Sequence, residues 1–225
     1  MGHMIEEVAL SRGHQIVGVI DPRLNEELSL PLIDFESEEF RSADVAIEFT
    51  TPATAEENIR KAWAQGVPVV CGTTGWDAAT LMDEDRRTHD KQMLVWSSNF
   101  SVGVNIFFEL NKFLAQKIRE ASPQPSPEGK GGYMPSIKEI HHIHKLDKPS
   151  GTAKTLAEQI SAMYEGRMYD VRREVPIESI REGEVPGTHE VTWDSEEDTI
   201  VITHIAKGRR GFALGAVLAA EEVTR

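Results

Sequence analysis

Apolar residues in the first hundred positions come in short unbroken runs separated by stretches of helical period. Gln15–Asp21, Val45–Phe49, Val67–Cys71 and Met93–Trp96 read as buried strands, with Thr54–Ala64 and Ala78–Asp90 as helices between them. Strand and helix alternating at this spacing predict an α/β unit, a parallel sheet with crossover helices. Ile5–Arg12 reads as a helix stopped by Gly13. A doubly wound domain opens on a strand, whereas this chain opens on a helix. For a dinucleotide-binding fold the expectation is therefore that the first strand and most of the Gly-rich loop are missing, with Met1 and Gly2 as the last two loop residues.

The pattern changes after residue 100. Phe107, Leu110, Leu114 and Ile118 are expected on one face of a helix running from Val104 to Glu120. Residues 121–135 hold four of the eleven prolines and three glycines, and read as a flexible surface insertion. Four strands are expected at Ser136–His142, Val171–Ser179, Thr188–Trp193 and Thr199–Ile205. A helix carries Ala153, Leu156, Ile160 and Met163 on one face, and Phe212–Val223 forms a last, Ala-rich helix.

Composition narrows the class. The 225 residues are 40% hydrophobic and 27% charged, an ordinary globular balance. The 24 basic against 37 acidic residues give a net charge of −13, which disfavours nucleic acid and anionic membrane as partners. No apolar run approaches the length of a bilayer span. The N-terminus lacks a secretory signal, and a single cysteine, Cys71, excludes an intrachain disulfide. A soluble, cytoplasmic protein is expected.

The densest ionisable cluster runs from Glu139 to Thr152 and holds His141, His142, His144, Lys145 and Asp147. Imidazoles titrating near neutrality and a nearby ammonium suit acid/base work and anion binding. Ser150-Gly151-Thr152 leads into a helix whose first N–H groups can cradle a carboxylate, or where Ser150 or Thr152 is simply the N-cap. On a strand, His142 and His144 would share a face, a spacing also suited to metal. Acid/base, metal and structural readings weigh evenly on the local pattern. Gly72–Gly75 and Ser97–Gly103 each follow an expected strand, where ligands line open parallel sheets, or where a tight turn suffices. Asp21 ends its strand where an acid can bond a ribose hydroxyl, or is only a turn residue. The basic turn Lys207–Gly211 suits an anion or plain solvation.

Together these segments resemble one family, 4-hydroxy-tetrahydrodipicolinate reductase (dihydrodipicolinate reductase). The pattern E-x-H-H-x-x-K-x-D-x-P-S-G-T-A runs intact from Glu139 to Ala153. Gly72–Gly75, Ser98–Asn105, Val185–Thr188 and His204 through Val217 also resemble family segments, in family order.

The resemblance implies a Rossmann-like nucleotide-binding domain over 1–100, incomplete at its start. It implies an α+β domain for substrate binding and tetramerisation over 101–206, and a C-terminal helix, 207–225, returning to the first domain. It implies NADH- or NADPH-dependent reduction of a cyclic imine dicarboxylate in lysine and diaminopimelate biosynthesis, by a homotetramer. By position, His141 and Lys145 are implied as catalytic, and His142, Ser150, Gly151 and Thr152 as substrate-binding. Asp21, Gly72, Thr73, Thr74, Ser97, Ser98, Asn99 and Phe100 are implied along the cofactor. No metal is implied. Asp21 favours NADH while Arg23 suits a 2′-phosphate, which leaves the cofactor choice open. The alternatives are a non-catalytic remnant that keeps only the dicarboxylate-binding domain and, more weakly, a hydrolase using a metal on His142 and His144.

Overall fold

The computed structural model describes residues 1–21, 30–88, 93–121, 132–163 and 175–224. In chain order the first elements are α1 (Gly2–Ser11), α2 (Glu38–Arg41), β1 (Ala46–Glu48), α3 (Ala55–Ala64), β2 (Val69–Cys71), α4 (Ala78–Thr88), β3 (Leu94–Trp96) and α5 (Val102–Ala121). There follow β4 (Met134–His141), α6 (Gly151–Ala162), β5 (Ile177–Arg181), β6 (Thr188–Asp194), β7 (Thr199–Ile205) and α7 (Arg210–Val223). They form two compact units, residues 1–102 with 210–225, and residues 103–209.

The first unit is Rossmann-like. Its sheet is parallel in the order β1-β2-β3, with Ala46 opposite Val69 and Val69 opposite Leu94. Val69 and Cys71 pack with Ile59 of α3 and Leu81 of α4, while Val70 packs with Ala216 and Ala220 of α7. Successive strand residues face opposite ways, so helices cover both faces, which is why Val67–Cys71 is apolar without alternation. Asp85 is buried on α4, where its carboxylate accepts the Met93 and Leu94 N–H groups at 3.1–3.2 Å and fixes the start of β3. Gly13 sits at φ 88° past α1, and His14 N–H closes on Ala9 C=O at 3.1 Å. That left-handed turn ends the helix at the expected place.

Gln15–Asp21 is not a strand of this sheet, contrary to its pattern. Among the described residues it makes one isolated parallel bridge, Val19 to Leu32. Its bonds run from Val19 N–H to Pro31 C=O and from Ile33 N–H back to Val19 C=O. Pro31 has no N–H to extend that ladder.

In the second unit β4 runs parallel to β5 and antiparallel to β6, giving a sheet of order β5-β4-β6-β7. Helices α5 and α6 cover one face: Val104, Phe107, Ala115 and Ile118 meet Ala153, Leu156 and Ile160 over Ile137, Val191 and Trp193. The buried face of α5 differs from the expected one. Leu110 is 45% exposed, and the stripe centres instead on Asn111, which is fully buried. Leu110 lies about 100° of helix rotation from Asn111, off the buried stripe. Asn111 donates from Nδ2 to Leu156 C=O at 3.2 Å and to Gln159 Oε1 at 3.0 Å, which is how a polar residue centres a core face.

Most of the expected insertion, 122–131, and residues 171–174 of the expected strand lie outside the described residues. Met134 and Pro135, counted with the insertion by composition, belong to β4 opposite Asp194 and Trp193. β4 stops at His141, so His142 is past the strand, and β5 continues to Arg181 rather than ending at Ser179.

Candidate functional site

The covered face of the second sheet changes character along its strands. Ile177, Ile137, Val191 and Ile202 lie side by side across β5, β4, β6 and β7. They belong to the apolar core. Two residues along, on the same face, the row becomes Ser179, Glu139, His189 and His204. One step further, Arg181 stands opposite His141. The period of two that aims Ile137 into the core therefore aims Glu139 and His141 into a buried polar end of the same layer.

Glu139 is 0% exposed and His141 7%. His141 Nδ1 lies 2.6 Å from Glu139 Oε2. Glu139 Oε1 accepts the Ser150 N–H at 3.2 Å and Arg181 Nη2 at 3.0 Å. Burial pushes the Glu139 carboxyl up, but the Ser179 hydroxyl, Ser150 and Arg181 outweigh it, so the group sits below the usual carboxylate range. Burial pushes His141 down, and Glu139 recovers only part of that against the repulsion of Lys145 and Arg181. The His189 ring stands edge-on to His141 with centroids 5.0 Å apart, and burial with that neighbour pushes it down to about 4.

Ser150 is the N-cap of α6: its Oγ accepts the Ala153 N–H at 3.2 Å and lies 3.1 Å from His189 Nε2. Its hydroxyl is thus turned inward, while Gly151 is exposed and Thr152 half-buried at the start of α6. His142 and His144 do not share a strand face. The chain turns after β4, with Lys145 N–H on His142 C=O at 3.1 Å, because β4 loses its partners at His141. The two rings lie 5.9 Å apart, and exposed His144 pairs with Glu184 at 3.0 Å. Lys145 Nζ lies 2.7 Å from Asp147 Oδ1. Burial raises the Asp147 carboxyl, and Lys145 with the Gly151 N–H brings it below its ordinary range.

Among the described residues, the grouping with metal-ligand spacing is Glu139, His141 and His189, their candidate atoms within 4.8 Å, rather than His142 and His144. Arg181 already neutralises that carboxylate, and Glu139 and His141 are at hydrogen-bond length, so the grouping reads as an ion-pair network.

In the first unit, the loops after β2 and β3 leave the carboxyl ends of parallel strands, where open sheets bind nucleotides. Thr73 C=O accepts two indole N–H groups, Trp76 and Trp96, each at 2.8 Å, which pins Gly72–Thr74. Thr73 is buried and Thr74 exposed. A Cβ on Gly72 would fall 2.2 Å from the Phe49 ring, so the loop needs glycine there. Ser97 Oγ donates to Asn99 C=O at 2.9 Å, and Asn99 Oδ1 accepts the Ser101 N–H at 2.9 Å, which fixes Ser97–Phe100 with Ser98 outward. Beneath the β2 loop, the Cys71 thiol donates to Glu48 Oε2 at 2.9 Å and is pushed far up by burial and that carboxylate. Two pinned, small-residue loops with outward hydroxyls fit the edge of a nucleotide. Asp21 is exposed and outside the sheet.

Sequence reasoning missed His189, Arg181 and His204 as members of the site. No local signal marks them, since only the strand register brings them beside Glu139 and His141.

Comparison with known proteins also divides the chain near residue 102, but it places α7 with the second part. The family description "Dihydrodipicolinate reductase, N-terminus" matches residues 1–100, and "Dihydrodipicolinate reductase, C-terminus" matches residues 103–225. The chain is 44% identical to a 4-hydroxy-tetrahydrodipicolinate reductase of Christiangramia forsetii over 98% of this chain and 87% of that protein. It is 32% identical to one from Archaeoglobus fulgidus over 100% of this chain and 90% of that protein. A solved structure, the dipicolinate-bound dihydrodipicolinate reductase of Paenisporosarcina sp. TG-14, shares the fold with a TM-score of 0.76 at 21% identity, covering 99% of this chain and 90% of that one. Matched in both halves and across nearly all of its length, the chain belongs to the dihydrodipicolinate reductase family.

Proposed function

We propose that the chain reduces 4-hydroxy-tetrahydrodipicolinate to tetrahydrodipicolinate, with His141 and Lys145 managing the proton. It is an oxidoreductase of its family, and both family halves match, which gives the non-catalytic alternative no support. The observation that carries the residue assignment is the buried Glu139–His141 pair at 2.6 Å, with Lys145 four residues on, inside an intact family signature.

A reduced pyridine nucleotide along Gly72–Thr74 and Ser97–Phe100 supplies the hydride when bound. The chain's own residues do the rest. A ring dicarboxylate requires cations and N–H donors. Lys145, His142, Gly151 and Thr152 provide them at the end of β4 and the start of α6. The 4-hydroxyl and a hydrogen from the neighbouring ring carbon leave as water, the hydride would then add to the unsaturated ring, and the electron-rich ring carbon that results takes its proton from His141 Nε2, with Lys145 as the second donor. Ser150 contributes by capping α6, which holds Gly151 and Thr152 in place. NADH and NADPH both remain candidates, with Asp21 at the ribose. A homotetramer built through the second sheet is supported by Val201 and Ile205, 49% and 65% exposed on β7 away from the core. A cytoplasmic location accords with this chemistry, and among the described residues no helix is long and apolar enough to cross a membrane.

The test is substrate-dependent oxidation of NADH and NADPH by the purified chain, with His141→Ala and Lys145→Ala. Turnover falling at least a hundredfold in each, with nucleotide affinity within about threefold, supports the roles. A loss mainly in nucleotide affinity overturns them.

A further inference from the structure

The two groups assigned to the proton share a single buried brace. Glu139 lies two residues before His141 on the same face of β4, and each of its carboxylate oxygens lies close to a partner. Oε2 faces His141 Nδ1 at 2.6 Å, and Oε1 takes Arg181 Nη2 and the Ser150 N–H. Arg181 comes from β5, outside the contiguous signature. Its guanidinium also donates to Lys145 C=O from Nε at 3.3 Å, and from Nη2 to Asp147 C=O at 2.5 Å. One planar cation therefore ties His141's carboxylate to both ends of the segment that carries Lys145. A planar five-donor fork suits this task, which a lysine ammonium would fulfil only in part.

We propose that Glu139 and Arg181 are positioning residues. Glu139 holds the proton on His141 Nδ1 and turns Nε2 outward as the proton-transfer atom, while Arg181 keeps that carboxylate ionised and locks the Lys145 loop to it.

Two further features agree with this assignment. Gly187 leaves His141 Nε2 clear: a Cβ there would lie 3.1 Å from Nε2, and glycine carries none. The carboxylate also has no slack, because Ser150 reaches it from α6 and Arg181 from β5. The charged and titratable groups around His141 are Glu139 on its own strand, Arg181 on β5, His189 on β6 and Lys145 on the loop. Of these only Glu139 stabilises the imidazolium, so its removal moves His141 in one direction, downward.

The inference rests on His141 as the proton-transfer group, and the experiments separate the two ideas. The first uses the unmodified protein: nitrogen NMR of His141 at a pH above its titration. Protonation at Nδ1 with bare Nε2 is expected, and a bare Nδ1 overturns the proposal without any risk of misfolding. The second compares Glu139→Gln, Glu139→Asp and Arg181→Lys with the parent enzyme. In Glu139→Gln the high-pH limb of kcat/KM moves down by about one unit, a roughly tenfold loss at neutral pH. Substrate KM stays within about threefold. Glu139→Asp keeps the charge and recovers part of the limb position. Arg181→Lys keeps the limb near its place but raises KM, because the Lys145 loop loses its fork. Unchanged limbs in both Glu139 variants, with His141→Ala still inactive, sink the positioning role alone. Full activity in His141→Ala sinks the reading beneath it.

Discussion

Gly215→Ala sets two forces of opposite sign against each other. Gly215 is buried in the middle of α7, where alanine is the better helix former by about 1 kcal/mol. Propensity alone makes the variant more stable. The packing predicts the reverse. A Cβ on Gly215 would fall 1.6 Å from the Phe100 carbonyl oxygen and 2.7 Å from its carbon, where real contacts stay above 3.0 Å. Helix and loop would have to part by 3.0 − 1.6 = 1.4 Å. Neither side yields easily. Behind α7, Ala213 and Val217 are packed on Val8 and Ala9 of α1. Behind Phe100, the loop is tied by Ser97 and Asn99, and the Phe100 ring packs with Val70, Ala216 and Ala220. Overpacking of this kind costs ~1–3 kcal/mol, and a rigid backbone neighbour puts the site at the upper end. Against the gain in propensity, a net loss of about 2 kcal/mol is expected. Urea unfolding followed by tryptophan fluorescence reads it, since Trp63, Trp76 and Trp96 all lie in the unit that α7 completes. Nucleotide affinity should weaken in the same variant, because the displaced loop is Ser97–Phe100. A variant more stable than its parent by about 1 kcal/mol would refute the close approach of α7 to Phe100.

Other substitutions probe the polar end of the second sheet. Gly187 sits at φ 152° beside His141 Nε2, so Gly187→Ala is expected to lower turnover at least tenfold while leaving nucleotide binding intact, measured by steady-state kinetics and fluorescence titration. His189 is held near 4 against 6.5 when unfolded, so the unfolded chain binds the extra proton first and stability is lost as pH falls between those values. The loss at pH 4.5 is about 2.5 kcal/mol, and His189→Gln, which keeps a partner for Ser150 but does not titrate, should lose that much less than the parent between pH 7 and 4.5 in guanidinium unfolding. Asp147 occupies Lys145 and the Gly151 N–H with its own carboxylate, so Asp147→Ala should lower the inhibition constant of a ring dicarboxylate severalfold, and a weaker inhibitor constant would contradict that competition. Leu156→Ala empties a fully buried position under the sheet and should cost about 2–5 kcal/mol in the unfolding of the second unit, followed through Trp193.

The sequence revealed most where one element explains one pattern. Val67–Cys71 is apolar without alternation because helices cover both its faces, and that signature survives with no knowledge of the partners. Thr188–Asp194 and Thr199–Ile205 alternate because only one face is covered. Gln15–Asp21 has the same apolar appearance as the true strands, but strand pairing depends on what lies alongside, and Pro31 limits it to one bridge. Asn111 shows the opposite error: a polar residue takes the centre of a buried face because Leu156 and Gln159 satisfy it from another helix. The candidate site divided the same way. His141 and Lys145 stand in one contiguous run and are visible as a cluster of ionisable groups. His189 and Arg181 are separated from it by 48 and 40 residues, counted from His141, and only the pairing of β4 with β6 and β5 brings them there.

The placement of α7 bears on the order in which the molecule can be made. The first unit needs residues from both ends of the chain: Val70 and Phe100 are buried against Ala216 and Ala220, and α1 against Ala213 and Val217. The second unit is a continuous stretch between them. On the ribosome, all of residues 103–209 emerge while the three-stranded sheet still has one bare face. The sheet's apolar side is therefore exposed for the whole time the second unit is being synthesised, and it closes only when α7 clears the exit tunnel. A chain ended at residue 209 and released should hold a folded second unit together with an open, chaperone-binding sheet. The unit that starts first is the one that finishes last.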